Sequence, residues 1–238
     1  MISVKDVKKV YQSGETQVRA LGGVSLEIKS KEFLSIAGPS GSGKSTLLNI
    51  IGCIDNADTG TVVISGQDVD QLSRDELALF RRKNLGFIFQ TYNLIPVLTA
   101  FENVALSLNL LGLPEKEITD RTKAIMDEVG LGSIADRVPS KLSGGQQQRV
   151  AIARALVKDP TVVLADEPTA NLDSKTAEDI MKLMHTMNQR HGTIFVFSTH
   201  DPMVMGLAPR LVKLHDGLIV SDETRQDTET RPSQGGSQ

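Results

Sequence analysis

The sequence predicts an α/β fold: a mostly parallel sheet covered by helices, with an N-terminal antiparallel β subdomain and an inserted helical subdomain. Three observations predict it. First, the runs Phe33–Ala37, Thr161–Ala165 and Thr193–Ser198 are short and largely apolar, which suits parallel strands buried on both faces. Second, helical patterns separate these runs, as the crossovers of a parallel sheet require. Third, residues from about 94 to 158 read as mostly helical, with breaks at Pro96, Gly112-Leu113-Pro114, Gly130, Gly132 and Pro139.

Taken in order, Ile2 and Val4, then Val24, Leu26 and Ile28, alternate with polar residues and read as half-buried antiparallel strands. Phe33–Ala37 runs into Gly38-Pro39-Ser40-Gly41-Ser42-Gly43-Lys44-Ser45, after which Leu47, Leu48, Ile50 and Ile51 fit a helix. Leu85-Gly86-Phe87-Ile88-Phe89 is strand-like and leads to Gln90. Within the helical stretch, Phe101, Val104, Ala105 and Leu108 recur at helical spacing, as do Ile118, Thr122, Ile125, Met126 and Val129. Met181, Met184 and Met187 share a helical face and read as core. Residues 222–238 hold no aliphatic or aromatic side chain, so the folded domain is expected to span 1–221 and the tail to be disordered.

The chain has 238 residues, enough to bury roughly 70–75 % of its unfolded surface without disulfides. Cys53 is the only cysteine, so no intrachain disulfide can form, which fits a reducing compartment. A net charge of −3 gives no electrostatic case for nucleic acid as a partner. No apolar run nears the roughly 20 residues that span a bilayer, and Met1–Asp6 carries no signal-peptide core. A soluble, cytoplasmic chain is the expectation, reaching a membrane only through another protein.

Three motifs carry chemistry. The stretch from Gly38 to Ser45 matches G-x-x-x-x-G-K-S between a strand and a helix. Glycines there let main-chain N–H groups curl around phosphates, and the following helix adds the positive end of its dipole. Lys44 supplies a point charge for the outer phosphates, and the Ser45 hydroxyl can ligate Mg²⁺. The second motif is Asp166-Glu167-Pro168 at the end of an apolar run. Asp166 suits a metal ion, held directly or through water, and Glu167 suits a water nucleophile; alternatively the triplet simply starts a helix, with Asp166 as its cap. The third is Leu142-Ser143-Gly144-Gly145-Gln146 before a strong helix former. It sets Ser143 at a helix tip able to bind an anion, while Ser143 and Gln146 also fit a capping box.

A phosphate loop together with Leu-Ser-Gly-Gly-Gln resembles the ATP-binding cassette (ABC) ATPases, and the resemblance covers nearly the whole folded chain. It implies the P-loop NTPase fold, ATP and Mg²⁺, with Ser40, Gly41, Ser42, Gly43, Lys44, Ser45 and Thr46 around the phosphates. It implies Gln90 as a metal- and water-contacting residue, His200 as a switch at the γ-phosphate, and Tyr11 stacked on adenine. Tyr11 can also be read as a partly buried strand tyrosine. Ser45, Gln90 and Asp166 are the implied metal residues, and Glu167, Gln90 and His200 the catalytic ones. Ser143, Gly145 and Gln146 should complete the site of a second copy, giving a head-to-tail dimer around two ATP molecules. Asn171-Leu172-Asp173 resembles the segment that crosses that interface. His185, His191 and His215 read as ordinary surface or capping residues.

The resemblance further implies a membrane permease as partner. Residues 89–104, with apolar Leu94, Ile95 and Val97, resemble the groove for its coupling helix. The wording of this stretch, with Leu48-Asn49-Ile50-Ile51-Gly52 and Thr169–Asp173, is most similar to ATPases of bacterial lipoprotein-releasing and macrolide-exporting systems, whose permeases have four spans. An ATPase peripheral to the inner face of the cell membrane is the expectation. Regulation through a permease stays open beside export. A soluble ABC protein acting on ribosomes or nucleic acid is the alternative of another class; one loop, one signature and no basic cluster weigh against it.

Overall fold

The computed structural model describes residues 1–14 and 16–225. A long antiparallel hairpin, β1 (Ile2–Ser13) and β2 (Thr16–Ile28), opens the chain, with Ile2 opposite Ile28 and Val4 opposite Leu26. β4 (Thr59–Ile64) and β5 (Gln67–Asp68) extend it into a four-stranded sheet ordered β2-β1-β4-β5. The second sheet is ordered β10-β9-β3-β8-β7-β6. In it β3 (Phe33–Ala37), β6 (Leu85–Ile88), β7 (Val162–Asp166), β8 (Ile194–Thr199) and β9 (Arg210–His215) are parallel, and β10 (Leu218–Thr224) closes one edge antiparallel to β9.

The period of two along these strands divides the core. Phe33, Val163, Ala165, Phe195 and Phe197 face one way, into a cluster shared with α3 (Ala100–Asn109), α4 (Glu115–Glu128), α5 (Gly144–Leu156) and α6 (Ser174–His191). Leu34, Ile36, Val162, Leu164, Ile194 and Val196 face the other way, onto α1 (Lys44–Ile51) and the antiparallel sheet. Each fully buried side chain of this size stabilises the fold by about 1.5–3 kcal/mol. Met181, Met184 and Met187 are buried in the first cluster. Between β5 and β6 the chain forms α2 (Arg74–Asn84), whose residues are all at least partly exposed. After β8 comes a short α7 (Pro202–Gly206).

The folded chain runs past the expected boundary at residue 221. Asp222, Glu223 and Thr224 pair with Val212, Leu211 and Arg210 as the end of β10. Their order comes from pairing, not apolar content: Arg210 donates to both carboxylate oxygens of Asp222, at 2.8 and 2.7 Å. The remainder of the expected tail, 226–238, lies outside the described residues. Among the described residues, no helix is long and apolar enough to cross a membrane.

Candidate functional site

An open cleft of about 610 Å³ lies beyond the carboxyl ends of β3, β7 and β8, where parallel α/β sheets keep their ligands. Pro39, Ser40, Gly41, Gly43, Lys44, Ser45 and Thr46 form one wall, Tyr11, Val18, Arg19 and Ala20 another, and Gln90, Asp166, Glu167 and His200 a third. Ser42, expected among the phosphate residues, does not line it. Its side chain is buried, so only its main chain belongs to the loop.

The loop curls because Gly41 and Gly43 take φ of +81° and +101°, which other residues adopt only with strain. At Gly43 a side chain is also barred by space: a Cβ would fall 2.5 Å from the Ala20 carbonyl oxygen. Gly43 is the N-cap of α1, so no side chain caps the helix, and its first turn holds no acidic residue. The N–H groups of that turn are left to a ligand, at the positive end of the helix dipole. Lys44 is only 7% exposed, and its Nζ donates to the carbonyls of Gly38 and Pro39 at 2.8 and 2.9 Å.

Asp166 is the last residue of β7, and its Oδ1 accepts from the Ser45 hydroxyl at 3.0 Å and the Ser198 hydroxyl at 2.6 Å. Ser198 Oγ in turn accepts the Glu167 N–H at 2.9 Å. Glu167 sits at φ +48°, a left-handed conformation that costs about 1–3 kcal/mol and marks strain held by the surroundings. The side chain it presents meets His200, with Oε1 and Nδ1 2.9 Å apart. The alternative of a helix starting at Asp166 does not form: α6 starts at Ser174 and is capped by Asp173, which accepts from the Thr176 N–H. The Ser45 hydroxyl and Asp166 carboxylate, side by side, are hard oxygen donors, and few of them, as suits Mg²⁺ shared with phosphate oxygens.

Tyr11 stands at the lip of the cleft, 38% exposed. Its hydroxyl donates to Asp55 at 2.6 Å, and Lys9 Nζ pairs with Asp55 at 2.9 Å while lying 5.3 Å from the ring centroid. Partial burial, then the Asp55 carboxylate, raises the Tyr11 phenol above its ordinary value. The ring is thus both a strand residue and a cleft residue, its hydroxyl tied down by Asp55 and its surface partly exposed.

The helix tip is elsewhere. Ser143 caps α5 and forms the full capping box: it accepts from the Gln146 N–H at 3.3 Å, and Gln146 Oε1 accepts the Ser143 N–H at 2.9 Å. Ser143 is exposed, Gly144, Gly145 and Gln146 are half-buried, and none of them lines the cleft. Two adjacent glycines have a reason invisible in the sequence. A Cβ on Gly145 would fall 2.6 Å from Thr176 Cγ2, and one on Gly144 3.0 Å from Tyr92 Oη. Asn171 Nδ2 donates to the Gln90 carbonyl at 2.9 Å, joining the segment after β7 to the one after β6. Among the expected bystanders, His185 meets the Phe33 ring edge-on, His191 pairs with Glu128, and His215 lies beside Asp216.

Sequence reasoning missed Ser198, which bridges Asp166 and Glu167, and Asp55, which holds Tyr11. Neither has a local signal. Ser198 reads as the end of an apolar strand, and Asp55 as one more residue of a polar turn.

The family profile described as ABC transporter matches residues 21–170. The macrolide export ATP-binding/permease protein MacB of Brucella melitensis is 46% identical over 230 residues, 97% of this chain and 35% of that protein. The chain therefore spans about a third of the length of such relatives. An ABC transporter ATP-binding protein of Thermotoga maritima is 47% identical over 225 residues, 94% of this chain and 96% of that one. Among solved structures, the dimeric ATP-binding cassette MJ0796 in a post-hydrolysis state bound to ADP and Pi superposes with a TM-score of 0.87 at 46% identity. It covers 95% of this chain and 99% of its own.

Proposed function

This chain belongs to the ABC transporter family, and from that premise we propose that it is the ATPase of a membrane transporter, working as a head-to-tail dimer of two copies. The observation that carries this reading is the unbroken run of hydrogen bonds from Ser45 through Asp166 and Ser198 to Glu167 and His200, at the mouth of a phosphate loop.

In this reading the N–H groups of residues 40–46 and the Lys44 ammonium hold the ATP phosphates, and Tyr11 stacks on the adenine. Ser45, Asp166 and Gln90 hold Mg²⁺, which when bound neutralises charge on the phosphate oxygens. Glu167 orients and polarises the water that attacks the γ-phosphate. His200, hydrogen-bonded to Glu167, faces the same phosphate. Ser143, Gly145 and Gln146 of one copy close over the ATP of the other. The exposure of Ser143 outside its own cleft supports this division of labour. ATP closes the dimer, and hydrolysis lets it reopen.

The partner moved by closure is a membrane permease. Ile95 and Val97 are exposed, Val97 at 81%, on the segment leading from Gln90 into the helical subdomain, and they suit a docked helix. Similarity to macrolide-export relatives supports the finer reading, a four-span permease of the exporting or lipoprotein-releasing kind, with this chain on the inner face of the membrane. Glu167→Gln tests the chemistry: ATP binding should persist, turnover should stop, and a dimer should accumulate with ATP in size-exclusion chromatography. Hydrolysis at the wild-type rate by that variant would remove Glu167 from its role.

A further inference from the structure

The segment after Gln90 takes a shape that its own residues do not favour. Tyr92 and Asn93 are consecutive non-glycine residues in the left-handed region, at φ 62° and 47°. Within the segment the Asn93 N–H donates to the Thr91 carbonyl at 2.7 Å and Thr91 Oγ1 donates to Asn93 Oδ1 at 2.9 Å, and a side chain from outside adds to these. Arg154, in the last turn of α5, donates Nη2 to the Tyr92 carbonyl at 2.7 Å and Nη1 to the Asn93 carbonyl. The guanidinium is charged at any working pH and partly buried, and among the described residues it forms no ion pair with a carboxylate. Two main-chain carbonyls are its partners, and its planar fork engages both at once.

The same helix carries the Ser143 tip. Gly144 packs against the Tyr92 hydroxyl, and Asn171 holds the Gln90 carbonyl from the other side. The Arg154 carbonyl accepts from Ser107 Oγ at 3.0 Å, which ties the same turn to α3.

We propose that Arg154 is a positioning residue: by clamping the Tyr92 and Asn93 carbonyls it sets Gln90 relative to the Ser143 tip, so that closure over a partner's nucleotide and metal contact by Gln90 move together. The proposal deepens the ATPase reading and rests on Gln90 touching Mg²⁺. Arg154→Lys keeps the charge but loses the fork.

In Arg154→Lys the Mg²⁺ concentration for half-maximal ATP hydrolysis should rise about tenfold, as for other residues that orient a metal ligand from behind. ATP binding in EDTA should match wild type. Amide hydrogen exchange of nucleotide-free protein should quicken over 90–98 and stay unchanged over 144–156. Arg154→Lys in a Gln90→Ala background should add no further shift in Mg²⁺ dependence. A wild-type Mg²⁺ response in Arg154→Lys, or faster exchange throughout α5, overturns the proposal. If Gln90→Ala alone leaves the Mg²⁺ response unchanged, it is the metal role of Gln90 that fails, and the exchange pattern still decides the clamp.

Discussion

The hydroxyl of Ser198 stands between the two carboxylate residues, donating to Asp166 Oδ1 at 2.6 Å and accepting the Glu167 N–H at 2.9 Å. It is fully buried at the end of β8 and therefore preorganised. One side chain thus fixes both Asp166, the carboxylate proposed for the metal, and the strained main chain that aims Glu167, the carboxylate proposed for the water. Removing it should act on turnover rather than on nucleotide affinity, because Ser198 contacts neither Tyr11 nor the phosphate loop itself and reaches Ser45 only through Asp166 Oδ1. Ser198→Ala should lower kcat about 10–100-fold with the KM for ATP within about threefold of wild type, checked by steady-state kinetics beside a thermal melt. An unchanged kcat would show that Asp166 and Glu167 keep their places unaided. The residues that announce themselves in the sequence, such as Lys44 or Glu167, do so because their chemistry needs a fixed local spacing. Ser198 meets its partners across 31 and 32 positions of chain, so nothing nearby marks it.

Legibility follows the same rule for whole elements. Phe33–Ala37 is readable to the residue because both faces of β3 are buried and every position is constrained. The span 55–84 is harder to read: β5 has two residues, β4 begins with exposed Thr-Gly-Thr, and α2 buries no residue fully, its plainest mark being the capping box of Ser73 and Glu76. The end of β10 is hidden for another reason, since Asp222 joins the sheet through Arg210 rather than through apolar content. Between these extremes lies the loop before α3, whose second half, 95–99, is held by one buried side chain. Asn103 Oδ1 accepts the Ile95 N–H at 2.7 Å, and its Nδ2 donates to the carbonyls of Ile95, Leu98 and Thr99. The loop that displays Val97 is thereby fastened to α3. Asn103→Ala leaves the Ile95 N–H and the Leu98 carbonyl without their partner, while the Ile95 and Thr99 carbonyls keep main-chain bonds, and should cost about 1–3 kcal/mol. Denaturant melts would register the loss, and limited proteolysis should begin within 93–99. If cleavage there stays at the wild-type rate, the loop has other anchors.

At the scale of the whole molecule, the decisive fact is a separation. The cleft has a phosphate loop, carboxylates and an aromatic lip, while the Ser143 tip, itself a capped helix end with free N–H groups, lies outside it. Twofold symmetry turns this into a rule about distances between copies: loop meets tip, but loop does not meet loop, nor tip meet tip. The chain is suited to test that rule, because Cys53, its only cysteine, is buried and its thiol is pushed up to about 11 by that burial, so it reacts slowly. Cysteines placed at Ser40 and Ser143 in the Glu167→Gln background should be joined by a short bismaleimide into a covalent dimer with ATP and Mg²⁺ present, and not without them. Chains carrying either cysteine alone should give no dimer by themselves but should cross-link when mixed with each other. That last pairing requires one copy to supply the loop and the other the tip. Efficient cross-linking by Ser143→Cys alone would instead place two tips face to face, a geometry in which neither could reach its partner's triphosphate.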